Sequence, residues 1–306
     1  MSIFISYSKT IVRIKSYLKL GRPQQYVKNG FVWLPIFFSY RLGDWQAVKK
    51  VFWAFLVFCL CSSAMYIWND FRDISEDRKH PLKRLRPLAS GAVTATEALG
   101  FMGFLLIVSL SLALTVLNRE FLIILGGYLI LNILYSNLFK RFAILDVTCI
   151  ATGFVLRVLG GGVAADIYVS HWLIIITFLL SLFLAFAKRR DDLLLIIDGY
   201  DNTRPSLQGY NLEFISVSMS IMAAVIIVSY TLYTQSAETI QRHGTDKLYI
   251  TTIWVVIGLL RYLQLSFIYN QGGSPSNILL NDRLLQIIIV LWLLSFIMVR
   301  LFFGIN

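Results

Sequence analysis

Cysteine and histidine are scarce, with three of each in 306 residues. Cys59, Cys61 and Cys149 all fall inside apolar runs. That excludes both a disulfide framework and a Cys/His metal-ligand spacing, and packing is their expected role. Charged residues are also few, 15% of the chain against 57% hydrophobic. With a mean hydropathy of +0.69, such a composition excludes a water-soluble enzyme. Acidic residues are the rarer sign, 17 against 28 Lys and Arg, for a formal net charge of +11. In a chain this apolar, the basic excess reads as an orientation signal and a lining for phosphates, and no nucleic-acid partner is expected. Residues 1–22 carry Lys9, Arg13, Lys15, Lys19 and Arg22 without an apolar core and small-residue cleavage site, so no removable signal is expected.

What the chain has in abundance is long apolar runs. A bilayer-crossing helix takes roughly 20 residues. Candidate spans lie near 25–40, 49–68, 97–116, 120–138, 144–165, 171–187, 212–232, 248–269 and 284–303. Open sheets leave backbone polar groups unsatisfied in lipid, and these runs are too long for barrel strands. The expected fold is therefore all-α: a polytopic membrane helical bundle of about nine spans, forming one integral membrane domain over 1–306. Lys and Arg concentrate in the N-terminal tail, 69–96, 139–143 and 188–211, and are sparser in the intervening loops. The positive-inside rule places the first set, with the N-terminus, in the cytoplasm. Lys28, Arg157 and Arg261 lie at or within span boundaries, where an ionisable residue is a functional candidate.

The segment Trp68–Gly91 carries the most chemistry. Asp70, Asp73 and Asp77 are three and four residues apart, a spacing that predicts three carboxylates on one helix face, with Asn69 beside them. Like charges so placed repel unless a cation neutralises them. Hard oxygen ligands of this kind suit Mg²⁺ bridging to a diphosphate. Lys83, Arg84 and Arg86 follow closely and are expected to contact phosphate oxygens that the metal leaves unsatisfied. Glu76 lies off the triad's face and is expected at the surface. His80, before Pro81, is either a phosphate contact or a turn residue. The loop 69–96 is the expected catalytic loop, and 188–211 a second basic cytoplasmic loop.

The pattern Asn69-Asp70-x-x-Asp73-x-x-x-Asp77, at the end of the second candidate span, resembles the first aspartate-rich motif of the UbiA-type intramembrane prenyltransferase superfamily. Further runs resemble one branch, the decaprenyl-phosphate phosphoribosyltransferases. They are Asp77-Arg78-x-His80-Pro81-x-Lys83-Arg84-x-Arg86-Pro87, Arg22-Pro23-x-Gln25-Tyr26-x-Lys28-Asn29, and Tyr135-Ser136-x-x-x-Lys140. The same holds for Gly153-Phe154-Val155-Leu156-Arg157 with Gly160, Gly161 and Gly162, and for Lys188-Arg189-Arg190, Thr245-Asp246 and Asn281-Asp282-Arg283.

The resemblance implies Mg²⁺-dependent transfer of 5-phosphoribose from phosphoribosyl diphosphate (PRPP) to a polyprenyl (decaprenyl) phosphate, with release of diphosphate. It implies metal binding by Asp70, Asp73 and Asp77, with Asn69 joining them in catalysis. Phosphate binding falls to Lys28, Asn29, Lys83, Arg84, Arg86, Tyr135, Lys140, Arg157, Lys188, Arg189 and Arg190. The expected location is the cell membrane, multi-pass, with the site opening to the cytoplasm; a homo-oligomer is compatible with all of this.

Superfamily members that prenylate aromatic acceptors carry a second DxxxD motif after the sixth span. This chain has Ala187-Lys188-Arg189-Arg190-Asp191-Asp192-Leu193 there, while Asp198 and Asp201 read as turn residues beside Gly199 and Pro205. Cations in place of metal-binding carboxylates suit substrates with more phosphate: PRPP adds a 5-phosphate, and a lipid phosphate adds another anion. Aromatic prenyl transfer is the alternative reading, and a transporter using the intramembrane charges is a remote one. Arg157 needs an interior partner. Asp146, eleven residues earlier, lies too far along the helix to pair with it directly. The glycine run at 160–162 is expected to serve close helix packing, and Arg261 a structural pairing.

Overall fold

The computed structural model describes residues 13–80, 83–199, 205–270 and 275–304. Lys9, Pro81 and Asp201, named above, lie outside the described residues. Every described regular element is helical, and the contacts divide the chain into two units.

The first unit comprises Met1–Val169 with Gly199–Ser206. It holds α1 (13–21), α2 (Leu34–Phe38), α3 (Trp45–Arg72), α4 (Ile74–Lys79), α5 (Ala95–Val116), α6 (Arg119–Asn137) and α7 (Leu145–Ala164). Polar caps start the long helices. Asp44 accepts from the amides of Gln46 and Ala47 at 3.1 Å ahead of α3. Thr94 and Glu97 form a reciprocal capping box on α5, and Asn118 caps α6 through Phe121 N at 3.1 Å. Each cap satisfies amides that a helix start leaves unpaired.

The segment 25–40 is not one continuous helix. It is a 3-10 run, Pro23–Trp33, that passes into the five-residue α2. Pro23 and Pro35 have no amide hydrogen to donate, so an unbroken α ladder does not form across them. Among the described residues, eight helices are long and apolar enough to cross a membrane, and the chain is an integral membrane protein.

α3 is the centre of the first unit: 61% of its apolar window is buried, against 17% for α5. Val51, Val57 and Phe58 on α3 pack with Val32, Ile36, Phe121, Leu125 and Tyr128 in one core. Ala64, Met65 and Ile67 pack with Leu20, Leu88, Val93 and Leu105 in another. The buried faces of α3 thus lock its last turn, where the acidic motif begins. α7 lies against the 3-10 run through its glycines. A Cβ on Gly160 would stand 2.6 Å from the Phe58 ring, one on Gly162 2.9 Å from the Ile167 carbonyl oxygen, and one on Gly161 would overlap the Val32 carbonyl. The packing role expected for this run is what the structure shows.

The second unit comprises Ser170–Asp198 with Leu207–Asn306. It holds α8 (His171–Ile197), α9 (Leu212–Gln235), α10 (Ala237–His243), α11 (Thr252–Phe267), α12 (Pro275–Asn281) and α13 (Arg283–Phe303). Asp282 caps α13 through Leu285 N at 2.7 Å and also accepts from Arg261 at 2.7 and 3.3 Å, the structural pairing expected of Arg261. Near α10, Tyr233 shares a 3.3 Å hydrogen bond with His243 Nε2. Burial, with like charge from Arg242 and Arg300, pushes His243 down to about 4.

The folded protein thus keeps this imidazole neutral, whereas the unfolded chain takes up a proton near pH 6.5. The unfolded state then binds more protons, so stability is lost as the pH falls from about 6.5 toward 4. His243→Gln is expected to flatten the pH dependence of the melting temperature in that window. Parallel curves for the two proteins, measured in detergent, would remove His243 as the cause.

Candidate active site

The last turn of α3 carries Asn69 and Asp70. The helix then breaks at Asp73 (φ −101°, ψ 8°), and α4 carries Asp77. The triad therefore does not lie on one continuous helix face, as its spacing predicts. Like charges on one helix face repel, and with the break each carboxylate meets a cation, Arg86 serving both Asp70 and Asp77.

Arg22 donates to Asp70 Oδ1 at 2.5 Å and to Oδ2 at 2.7 Å. Arg86 Nη1 bridges Asp70 Oδ1 at 3.0 Å and Asp77 Oδ2 at 2.6 Å. Asp73 pairs with Lys140 and accepts from Asn69 Nδ2 at 3.0 Å. Asp70 and Asp77 are buried, only 2% and 3% exposed. Burial pushes the Asp77 carboxyl up, with Arg86 acting against it.

Among the described residues, no three His, Cys, Asp or Glu side chains are gathered as a metal site. Basic side chains hold the carboxylates instead. The donor set nevertheless fits a hard cation: it offers oxygens alone, and one of them, Asn69 Oδ1, is buried without a hydrogen-bond partner.

Arg22 is not among the residues expected to act, although it opens the Arg22-Pro23 motif. Its backbone sits in the left-handed region at φ 51°, unusual for a residue other than glycine, and its guanidinium stacks 5.3 Å over the Tyr66 ring. Beyond Lys140, in the turn Phe139–Arg141, Ile144 takes φ 66° at the start of α7. For a β-branched residue this is a strained conformation. Strain thus lies on or near two of the three cation-bearing segments, those of Arg22 and Lys140.

The other expected residues differ in how far they are committed. Lys28 is half-buried and Arg84 exposed, and neither side chain has a hydrogen-bond or ion-pair partner among the described residues. Lys83 donates its amide to His80 Nδ1 at 3.3 Å, which makes His80 a turn-former. Tyr135 is half-buried in the last turn of α6. Asn29 is fully buried. Its Oδ1 accepts from Arg157 Nε at 2.7 Å, and its Nδ2 donates to Ser62 Oγ at 3.2 Å and Cys59 Sγ at 3.3 Å. Arg157 also donates to the Tyr128 hydroxyl and the Gly153 carbonyl, both at 2.8 Å. Asp146 takes Ser206 Oγ at 3.0 Å instead of any contact with Arg157.

In the second unit, Lys188, Arg189 and Arg190 are not in a loop. They belong to α8, which continues to Ile197, because the turn Lys188–Asp192 lowers hydropathy without breaking the helix. Arg189 is fully buried and bonds Asp192 at 3.0 Å. Arg190 donates to the Ser266 carbonyl at 2.5 Å and Asn270 Oδ1 at 3.0 Å. Lys188 is exposed.

In the first unit, the buried helix α3 thus ends in an acidic cluster held by arginine and lysine side chains, the site geometry of a membrane-embedded helical protein. The sequence model of the UbiA prenyltransferase family matches residues 31–196. The decaprenyl-phosphate phosphoribosyltransferase of Mycolicibacterium smegmatis is 32% identical, over 92% of this chain and 91% of that protein. The enzyme of the same name from Corynebacterium glutamicum is 31% identical, over 92% and 85%. A UbiA homologue from Archaeoglobus fulgidus, solved with GPP and Mg²⁺, superposes with a TM-score of 0.68 at 22% identity, covering 93% of this chain and 99% of that one. The chain belongs to the UbiA prenyltransferase family and is a transferase.

Proposed function

We propose that this enzyme transfers 5-phosphoribose from PRPP to a polyprenyl phosphate, with release of diphosphate. The observation that carries the reading is the cation content around one acidic cluster. Arg22, Arg86 and Lys140 already hold Asp70, Asp73 and Asp77, and the first unit carries Lys28 and Arg84 as further cations. α8 of the second unit carries Lys188, Arg189 and Arg190 where a DxxxD motif would bind a second metal. The names of the relatives at about 30% identity agree with this reading.

In the reaction, an anionic oxygen of the lipid phosphate bonds to C1 of the ribose as the C1–O bond to diphosphate breaks, and the bonding electrons leave with the diphosphate. A phosphate monoester is already largely ionised near neutral pH, so the chain needs no strong general base. Asp70, Asp73, Asp77 and Asn69 would hold Mg²⁺, which when bound supplies charge neutralisation for the departing diphosphate. Arg22, Arg86 and Lys140 then exchange carboxylate for phosphate oxygens, joined by Lys28, Lys83, Arg84 and Tyr135. The work of these residues is to position two anions that repel each other and to stabilise the leaving group. Asn29 and Arg157 lie deeper in the same unit. The Lys/Arg excess supports a cytoplasmic N-terminus and acidic cluster in the cell membrane.

The test is an assay of purified protein with labelled PRPP and polyprenyl phosphate, beside prenyl diphosphate with an aromatic acid. Labelled lipid is expected from the first pair alone, and Asp73→Ala and Lys83→Ala should each lose most of it. Turnover of the second pair, or full activity in both variants, would overturn the reading.

A further inference from the structure

We infer that Arg157, well inside the membrane-spanning helix α7, is the docking point for the phosphate of a lipid monophosphate; this rests on the proposed lipid phosphate acceptor. Arg157 is the thirteenth residue of α7, roughly 18 Å along the helix from its start, and it is only 6% exposed. Its three nitrogens donate to Asn29 Oδ1, the Gly153 carbonyl and the Tyr128 hydroxyl, every one a neutral oxygen. Its flat faces lie 4.8 Å from the Tyr128 ring centroid and 5.2 Å from that of Phe154.

A guanidinium has five N–H donors, so one on each terminal nitrogen is still unspent. By contrast, Arg22, Arg86, Lys140, Arg189 and Arg261 each hold a carboxylate. A charge kept in a membrane-spanning helix with neutral partners alone is costly and marks a functional site. Two donors of a planar guanidinium are left for a ligand, and a phosphate is an acceptor that suits them.

The surroundings select which phosphate. Phe154, Tyr128, Leu131 and Cys59 border the guanidinium side or its partners. Such walls match an anion whose other end is hydrocarbon. A single cation among aromatic rings is a poor match for a soluble sugar carrying several phosphate charges.

The experiment measures binding of farnesyl phosphate, PRPP and inorganic phosphate to the full-length protein in detergent, comparing wild type with Arg157→Met and Asn29→Asp. Asn29→Asp keeps the shape of the partner but gives Arg157 a counter-ion of its own. Both variants are expected to lose tenfold or more in affinity for farnesyl phosphate, with PRPP affinity changed less than threefold, and Asn29→Asp should melt higher than wild type. If Arg157→Met does not fold, Asn29→Asp alone decides. Unchanged farnesyl phosphate affinity in a folded variant overturns the inference. So does a loss of PRPP or inorganic phosphate binding equal to the loss of lipid phosphate. The transfer assay is separate: turnover in wild type with full lipid affinity in Asn29→Asp refutes the docking point and spares the reaction.

Discussion

Asp70→Asn is expected to lower the transfer rate on the order of 10³-fold, about 4 kcal/mol of barrier, while the protein still folds. The substitution changes one oxygen to nitrogen and removes the negative charge. Asp70 is the hub of the cluster, gripped on both oxygens by Arg22 and sharing Arg86 with Asp77. With a neutral amide there, Arg22 and Arg86 face one another with less counter-charge, and the oxygen set loses its most buried anionic member. Initial rates with labelled PRPP check this, with circular dichroism and melting in detergent as the control for folding. A folded variant retaining more than a tenth of wild-type rate would remove Asp70 from the reaction.

Gly161→Ala is expected to have the largest effect on stability, about 3 kcal/mol or more, at the upper end of what overpacking costs. The new methyl group would overlap the Val32 carbonyl oxygen and crowd the rest of that peptide. Backbone cannot rotate aside as a side chain can, so α7 and the 3-10 run have to separate. That separation would also pull Arg157 from Asn29, since the two are joined across the same contact. Melting in detergent, with yield of monodisperse protein, measures the effect. Gly126→Ala is the control, because a Cβ there meets nothing within 4 Å. Equal melting temperatures for the two variants would show that the close approach is not needed.

The spans are legible in the sequence because hydrocarbon imposes one requirement, an apolar run of sufficient length, and local composition records it. The candidate near 171–187 ends early because Lys188 to Asp192 interrupt the apolar run, whereas the α-helical hydrogen bonds pass through to Ile197. The candidate at 25–40 fails for the opposite reason: it is apolar enough, but it is a 3-10 run that passes at Pro35 into a five-residue helix. The acidic motif is legible because its spacing is local. Its cations are less so, since Arg22 reaches Asp70 across 48 residues by way of a left-handed backbone turn. Arg157 stands out as a charge in an apolar run, but its partner Asn29 is 128 residues away, and nothing in the local pattern links them.

The length of α3 has a consequence of its own. Its 28 residues extend about 42 Å, well beyond a hydrocarbon layer of about 30 Å. The apolar stretch stops at Trp68, and Asn69 and Asp70 follow at once. The helix therefore works as a ruler, setting the cluster at the level where hydrocarbon gives way to head groups. A thicker bilayer would draw these carboxylates toward lipid, and a thinner one would leave them open to water. Membrane thickness thereby becomes a variable of the chemistry, acting through the hydration of the site.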